Sequence, residues 1–329
     1  MFCIAVGCLS AVLFALSRRR LGLLALLSAT VLELFFHLLE YRTRSNEVYM
    51  LNGALAVFLF APRQKQLVLQ ALLACFYFWA GALKLKAEWI SGAALYAKPF
   101  LVPEALVPAS CVYVLILETI FIWGLFSRSA RVRWLVFFQL LIFHAVSWSV
   151  VGWHYPLLMF TLLSIYPLVW LREPGALLSW SSLYTHAATR RSIAAVAALF
   201  SLLQLPAYTL FPGDSSLTGE GRLFALDMFD SQPVCQGGAL LHQADGGTRM
   251  VPLIDPALKS RRRCDPLVLF SNAKKLCAAQ GGGDVVGIDI QVDARRKSDS
   301  AFHPLIRAQD ICNPKVGYSL WRHNDWLKG

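Results

Sequence analysis

Apolar residues run almost unbroken through the first two thirds of the chain, in stretches separated by short basic loops. A helix needs about 20 predominantly apolar residues, within roughly 17–25, to cross a bilayer. At that length the pattern predicts helical spans over 1–16, 21–39, 49–61, 66–85, 105–126, 134–152, 155–171 and 192–211. Near Pro212 the texture changes to Gly, Asp, Arg and Lys with short alternating segments. The expected fold is therefore a polytopic α-helical membrane protein of about eight helices, over 1–211, followed by a mixed α/β, strand-rich domain over 212–329.

Within the second domain, Gly238–His242 and Arg249–Ile254 flank Asp245-Gly-Gly247, a hairpin signal. Pro266–Ala279 has the apolar spacing of one amphipathic helix, and the glycine triplet after it, 281–283, is the expected stop. Val285–Val292 alternates through Val286, Ile288 and Ile290, as a half-buried strand does. The glycine triplet is not a phosphate loop, since it follows a helix and no Lys-Ser or Lys-Thr comes after it.

Composition supports the membrane reading. Of 329 residues 57% are hydrophobic and only 16% charged, and the mean hydropathy is +0.52, outside the range of ordinary soluble domains. The net charge of +11 would suit a nucleic-acid binder, but its distribution excludes that class. Basic residues gather in short loops: Arg18 to Arg20, Arg63 with Lys65, Arg128 with Arg131 and Arg133, and Arg172 with Arg190 and Arg191. If the spans alternate, all four loops fall on one side, the cytoplasmic one. The amino terminus, the Glu40–Val48 loop, the segment after Lys84 and the 212–329 domain then face outward. The first apolar run is an anchor rather than a cleaved signal, because its basic cluster follows the run instead of preceding it.

Cys3, Cys8, Cys75 and Cys111 lie in apolar segments and read as packing residues. Cys235, Cys264, Cys277 and Cys312 lie in the outward domain, where disulfides are permitted, and three pairings are open to them. No Cys/His spacing suits zinc, and no metal is expected.

Ionisable groups inside a bilayer are costly, so each one within an apolar run is a candidate for function. Lys84 ends the run Gln66–Leu85; Glu118 and His144 interrupt two later runs; Glu33 and His37 stand four apart on one helical face, as do Lys84 and Glu88. Each has a plain alternative. Lys84 and Lys86 with Trp89 could be snorkelling anchors in an aromatic belt. His144 could bond a neighbouring helix, and Glu33 with His37 could form a structural pair. Glu118, in mid-span, needs a partner or a water-filled cavity.

The segment from Tyr77 to Gly92, Tyr-Phe-Trp-Ala-Gly-Ala-Leu-Lys-Leu-Lys-Ala-Glu-Trp-Ile-Ser-Gly, resembles the YxxAGxxKLxxDWxxG segment of the vitamin K-dependent γ-carboxylase family. That family includes bacterial proteins grouped under the horizontally transferred transmembrane (HTTM) name. Phe143-His144, Gly152 and Tyr155-Pro-Leu-Leu-Met159 resemble its FH…G.FPxxM helix pair, and Glu118 stands where an acidic residue interrupts the preceding helix. Leu205-Pro206, Phe211-Pro-Gly213 and Thr218-Gly-Glu-Gly-Arg-Leu-Phe224 are similar to the P…YPG…WTEEGxxFxW junction into the family's exofacial domain. Asp293-Ala-Arg-Arg, Pro304-Leu-Ile, Asp310-Ile and Asn324-Asp-Trp326 are fainter echoes of its tail. The likeness covers the chain from about Asn46 onward.

The resemblance implies that Lys84 acts as the base that deprotonates reduced vitamin K, or a related quinone. The quinol then reacts with O2 to give a stronger alkoxide base, which takes the γ-proton of a peptide glutamate before CO2 adds. His144 would support that chemistry, and the exofacial domain would help to present an exported peptide or protein. Membrane lipid is the other expected partner. The sequence departs from the family pattern at several places. Glu47, in Asn46-Glu-Val-Tyr-Met50, replaces the histidine of an NHxYL motif, and a carboxylate beside Lys84 would favour the charged amine. Leu217 and Leu226 replace junction aromatics, Tyr208 replaces an arginine, and the family's usual first helix has no counterpart. Two readings result: a carboxylase using Lys84, Glu118, His144 and Glu47, or a non-catalytic HTTM-type relative binding a quinone, a lipid or an exported peptide. A transporter is a weaker third reading, since paired Gly/Pro-interrupted helices are not evident.

Overall fold

The computed structural model describes residues 9–10, 12–13, 15–39, 46–60, 65–95, 97–172, 187–205, 209–221, 225–226, 233–256, 263–279 and 284–328, with backbone only at 37–39, 47, 48, 60, 172, 188 and 189. Helices fill the apolar region: α1 (Arg19–Leu39), α2 (Asn46–Phe60), α3 (Lys65–Ala82), the short α4 (Ala87–Ile90), α5 (Val107–Thr119), α6 (Ala130–Val151), α7 (His154–Leu163), α8 (Ile165–Arg172) and α9 (Ala187–Gln204). A 3₁₀ turn, Phe121–Phe126, continues α5. A last single turn, α10 (Ser215–Thr218), precedes the sheet.

Three helical stretches are long and apolar enough to cross a membrane among the described residues: Glu104–Phe126, Ala130–Val151 and His154–Leu171. These coincide with three of the eight expected spans. The other helices fall short for identifiable reasons. In α1, Arg19 and Arg20 open the helix, and its last three residues, 37–39, are described in backbone only. α2 has only 15 residues. α3 carries Lys65, Gln66 and Gln70, and α9 carries Arg190 and Arg191. Much of the expected 1–16 span and the loop before α9 lie outside the described residues.

The chain divides into two compact units. The first comprises Met1–Tyr77, Phe121–His144 and His154–Phe200. Its interior is aromatic: Phe76 packs against Phe200 at 4.9 Å, and Tyr166 is fully buried, its hydroxyl donating to the Gln70 carbonyl at 2.8 Å. At its basic end Arg133 donates to the Ser127 and Arg128 carbonyls and lies 5.4 Å from the Trp170 ring. These bonds satisfy two carbonyls in the turn between the 3₁₀ segment and α6.

The second unit comprises Phe78–Ile120, Ala145–Trp153 and Ser201–Gly329. It contains an antiparallel sheet of order β2-β1-β3-β4, built from β1 (Val234–Gln243), β2 (Thr248–Pro252), β3 (Val285–Arg295) and β4 (His303–Ala308). The expected hairpin is β1–β2, with Leu240 opposite Met250. The expected helix is α11, Pro266–Ala279, with the expected bounds. Ile288, Ile290, Val292 and Ala294 point inward from β3, and Leu269 and Ala273 of α11 join them in one core. Val286, expected on the inward face, is 70% exposed, because the buried alternation begins two residues later. The four cysteines of this domain pair as Cys235–Cys264 and Cys277–Cys312.

The free side of β4 is covered by the tail. Ile306 bridges Leu327, and Arg307 N–H donates to the Trp326 carbonyl. The tail is held by Glu220, a buried carboxylate that accepts from the Asn324 backbone and side chain and contacts His323 Nδ1 at 2.8 Å. Glu220 thus joins the segment after α10 to the tail at His323 and Asn324.

Candidate functional site

The geometry around Lys84 starts from a glycine. A Cβ on Gly81 would lie 2.8 Å from both Glu118 Cβ and Thr119 Cγ2, so only a bare α-carbon lets the end of α3 approach the end of α5 this closely. Beyond Ala82 the helix tightens: Lys84 N–H bonds to Gly81 O and Leu85 N–H to Ala82 O. Lys86 is already extended, with φ −133° and ψ 150°. The two lysines therefore diverge, although they are only two residues apart.

Lys84 is 3% exposed and Glu118 1%. The amine donates to both carboxylate oxygens, at 2.7 and 2.6 Å, and it lies 4.8 Å from the centroid of the Trp89 ring. Trp89 is fixed in turn, its indole N–H donating to the Cys111 carbonyl at 3.0 Å on α5. Glu118 thus has the partner that a mid-span carboxyl requires. Neither snorkelling nor a pairing of Lys84 with Glu88 describes the lysine: α3 ends before the four-residue spacing to Glu88 can act, and Glu88 sits in separate α4.

Glu88 belongs to a second charged group at the edge of the same cleft. Arg296, at the end of β3, contacts Glu88 Oε1 at 3.3 Å and forms a short ion pair with Asp214. Lys86 Nζ lies 3.6 Å from Asp214. Asp214 also caps α10, accepting from Ser216 N–H at 2.9 Å and from the Ser216 hydroxyl at 2.7 Å. Burial opposes ionisation of Asp214, but Lys86, the two Ser216 bonds and Arg296 together outweigh it and hold the carboxyl below its ordinary range. Burial likewise opposes the charge on Arg296, and Asp214, Glu88 and Asp299 overcome it and raise its pKa. The cleft itself is narrow, with room for about one water molecule, and is lined by Leu83, Lys84, Lys86, Glu88, Trp89, Ala94 and Ser216.

His144 is fully buried in α6 and shares a 2.6 Å hydrogen bond with the Tyr77 hydroxyl. Phe143, Tyr155 and Phe160 surround the imidazole within the first unit. The helix-to-helix bond weighed as the plain alternative for His144 is therefore present. Among the candidate residues whose side chains are described, Lys84 and Glu118 come together and Lys84 lines the cleft. Glu47 begins the first turn of α2, and its side chain lies outside the described residues, as does that of His37. Glu33 is half-buried in α1. Tyr208 also lies outside the described residues, whereas Leu226 is fully buried, its N–H donating to Gln204 Oε1 at 2.7 Å.

Sequence reasoning did not find Tyr77, Asp214 or Arg296. Asp214 carried a signal, because Asp followed by Ser-Ser is a helix-capping pattern. Arg296 carried none beyond its charge.

No family model, curated protein or solved structure matches the chain.

A reduced quinone was the expected cofactor, and the site fits one poorly. Small-molecule pockets occupy roughly 300–1,000 Å³, more than this cleft offers, and both oxygens of Glu118 are engaged by the one amine that would act as base.

Proposed function

We propose that the protein is a multi-pass membrane protein of HTTM-like architecture that is non-catalytic at Lys84 and binds an exported peptide through its outward domain. The observation that carries this reading is the ion pair of Lys84 with both oxygens of Glu118. A general base must turn a free lone pair toward its substrate, and the Lys84 amine is instead committed to both Glu118 oxygens, at 2.7 and 2.6 Å. The pair instead ties α3 to α5, with Trp89 closing over it.

In this reading α1, α2, α3 and α9 cross the bilayer beside the three more apolar stretches, which restores the alternation that puts every basic loop in the cytoplasm. The disulfides support an outward 212–329 domain, since both belong to an oxidising compartment. β2 supports peptide binding. It is the outer strand of the sheet, Met250 on it is 51% exposed, and an outer strand can accept an extended chain by backbone pairing.

Retention of Lys84, Glu118 and the Tyr77–Gly92 segment favours a second reading, a vitamin K-type γ-carboxylase. That reading requires Glu118 to release Lys84 and the cleft to widen. One experiment separates the two. Protein in nanodiscs is given reduced vitamin K, labelled CO2 and a fluorescent glutamate-rich peptide. The proposal expects saturable peptide binding with no label transferred. Label that disappears with Lys84→Met establishes the carboxylase instead, and absence of both binding and label removes the proposal for this peptide class.

A further inference from the structure

The corner between α6 and α7 and the loop before α5 meet in an aromatic patch with no role in the Lys84 site. α6 ends at Gly152, whose φ of 84° lets the chain reverse. On either side of that glycine, Trp148 and Trp153 stack at 4.5 Å with an 18° interplanar angle. The loop is fastened to this corner. Phe100 N–H donates to the Val146 carbonyl at 3.3 Å, the Ser149 hydroxyl donates to the Lys98 carbonyl at 3.1 Å, and the Phe100 ring lies 5.9 Å from Trp148.

The patch is exposed where a soluble protein would hide it. Trp153 is 60% exposed, Phe100 48% and Leu101 80%. Leu101 is also held at φ 62°, a left-handed conformation that costs a non-glycine residue roughly 1–2 kcal/mol. Strain that presents a leucine to water would be unfavourable twice over. Against hydrocarbon, the exposure term changes sign. The patch also lies at the end of a 22-residue apolar helix, Ala130–Val151, the level at which Trp and Lys collect in membrane proteins.

We infer that Phe100, Leu101, Trp148 and Trp153 form an interfacial anchor, seated at the headgroup–acyl boundary of a phospholipid bilayer with exposed Lys98 reaching the lipid phosphates. Phe100 and Leu101 enter the acyl layer, and the indoles occupy the boundary. The anchor fixes the depth of the loop that leads into α5, and so the depth of Glu118 at the end of that helix. This inference rests on the membrane reading above.

Spin labels test it in the full chain, with Cys3, Cys8, Cys75 and Cys111 replaced by alanine and the disulfides kept. The protein is reconstituted in phosphatidylcholine vesicles containing phosphatidylglycerol. Labels are placed singly at Leu101→Cys, at Ile142→Cys on the exposed face of α6, and at Arg249→Cys on β2. The readout is the ratio of collision with dissolved oxygen to collision with a water-soluble nickel chelate. The ratio should be several-fold higher at 101 than at 249, and higher again at 142. A ratio at 101 equal to that at 249, with 142 still high, overturns the anchor and leaves the membrane reading standing. A low ratio at both 101 and 142 overturns both.

Discussion

Breaking the Lys84–Glu118 pair should cost more than removing it altogether. At 2.6 Å and an effective dielectric near 20, the gross attraction is about 6 kcal/mol. Much of that offsets the desolvation of two ions whose side chains are only 2% and 1% exposed. Lys84→Met leaves the Glu118 carboxylate buried beside Trp89 and should destabilise by about 3–5 kcal/mol. Glu118→Leu leaves the ammonium without its counter-ion and should cost a similar amount. The double variant Lys84→Met/Glu118→Leu removes both charges at nearly constant volume, and should fall within about 1–2 kcal/mol of the parent, or above it. SDS titration in mixed micelles, followed by circular dichroism, gives the four corners of the cycle. The reasoning requires a coupling energy above about 2 kcal/mol; additivity within about 0.5 kcal/mol would refute it, as would a silent Lys84→Met.

The close approach at Gly81 should make Gly81→Val a severe lesion, reducing folded yield in membranes, whereas Ser91→Ala, in an exposed turn, should be neutral in the same assay. Asp214 adds an acid limb to stability. Its folded pKa is lowered, so its contribution is complete above the unfolded value near 3.9 and is lost as pH falls through the folded value. Arg296→Met should weaken that limb in acid unfolding curves, and Asp214→Asn should abolish it. Opening Cys235–Cys264 or Cys277–Cys312 releases loops of 29 and 35 residues, with a chain-entropy ceiling of about 3.5–4 kcal/mol each. Thiol-reactive mass tags on unreduced protein should find all four of these cysteines blocked.

Local periodicity made part of this fold legible. The α11 helix over Pro266–Ala279 was readable because its apolar spacing and its stop both lie within the segment. The β1–β2 hairpin was readable because the turn residues adjoin both strands. The strand β4 carries no comparable signal: His303–Ala308 is six residues long and begins with an exposed His-Pro, so it acquires its identity from β3. The site was legible in its members and not in its pairing. Lys84 and Glu118 stood out because charge is rare in apolar runs, yet they are 34 residues apart. The nearer carboxylate, Glu88, offered a helical spacing that α3 does not last long enough to realise. Gly81 was the available clue, since a glycine in an apolar helix often marks close contact with another.

Glu220 also imposes an order on synthesis. Its hydrogen-bond partner Asn324 lies 104 residues further along the chain. At about 5–20 residues per second, the ribosome needs roughly 5–20 s to deliver Asn324 after Glu220 has emerged. During that interval the carboxylate cannot be buried without its partner and must stay hydrated, so the junction around it stays open. The same delay leaves one side of β4 unpaired until Leu327 arrives. Closure of this domain is therefore a late event, completed when the tail docks.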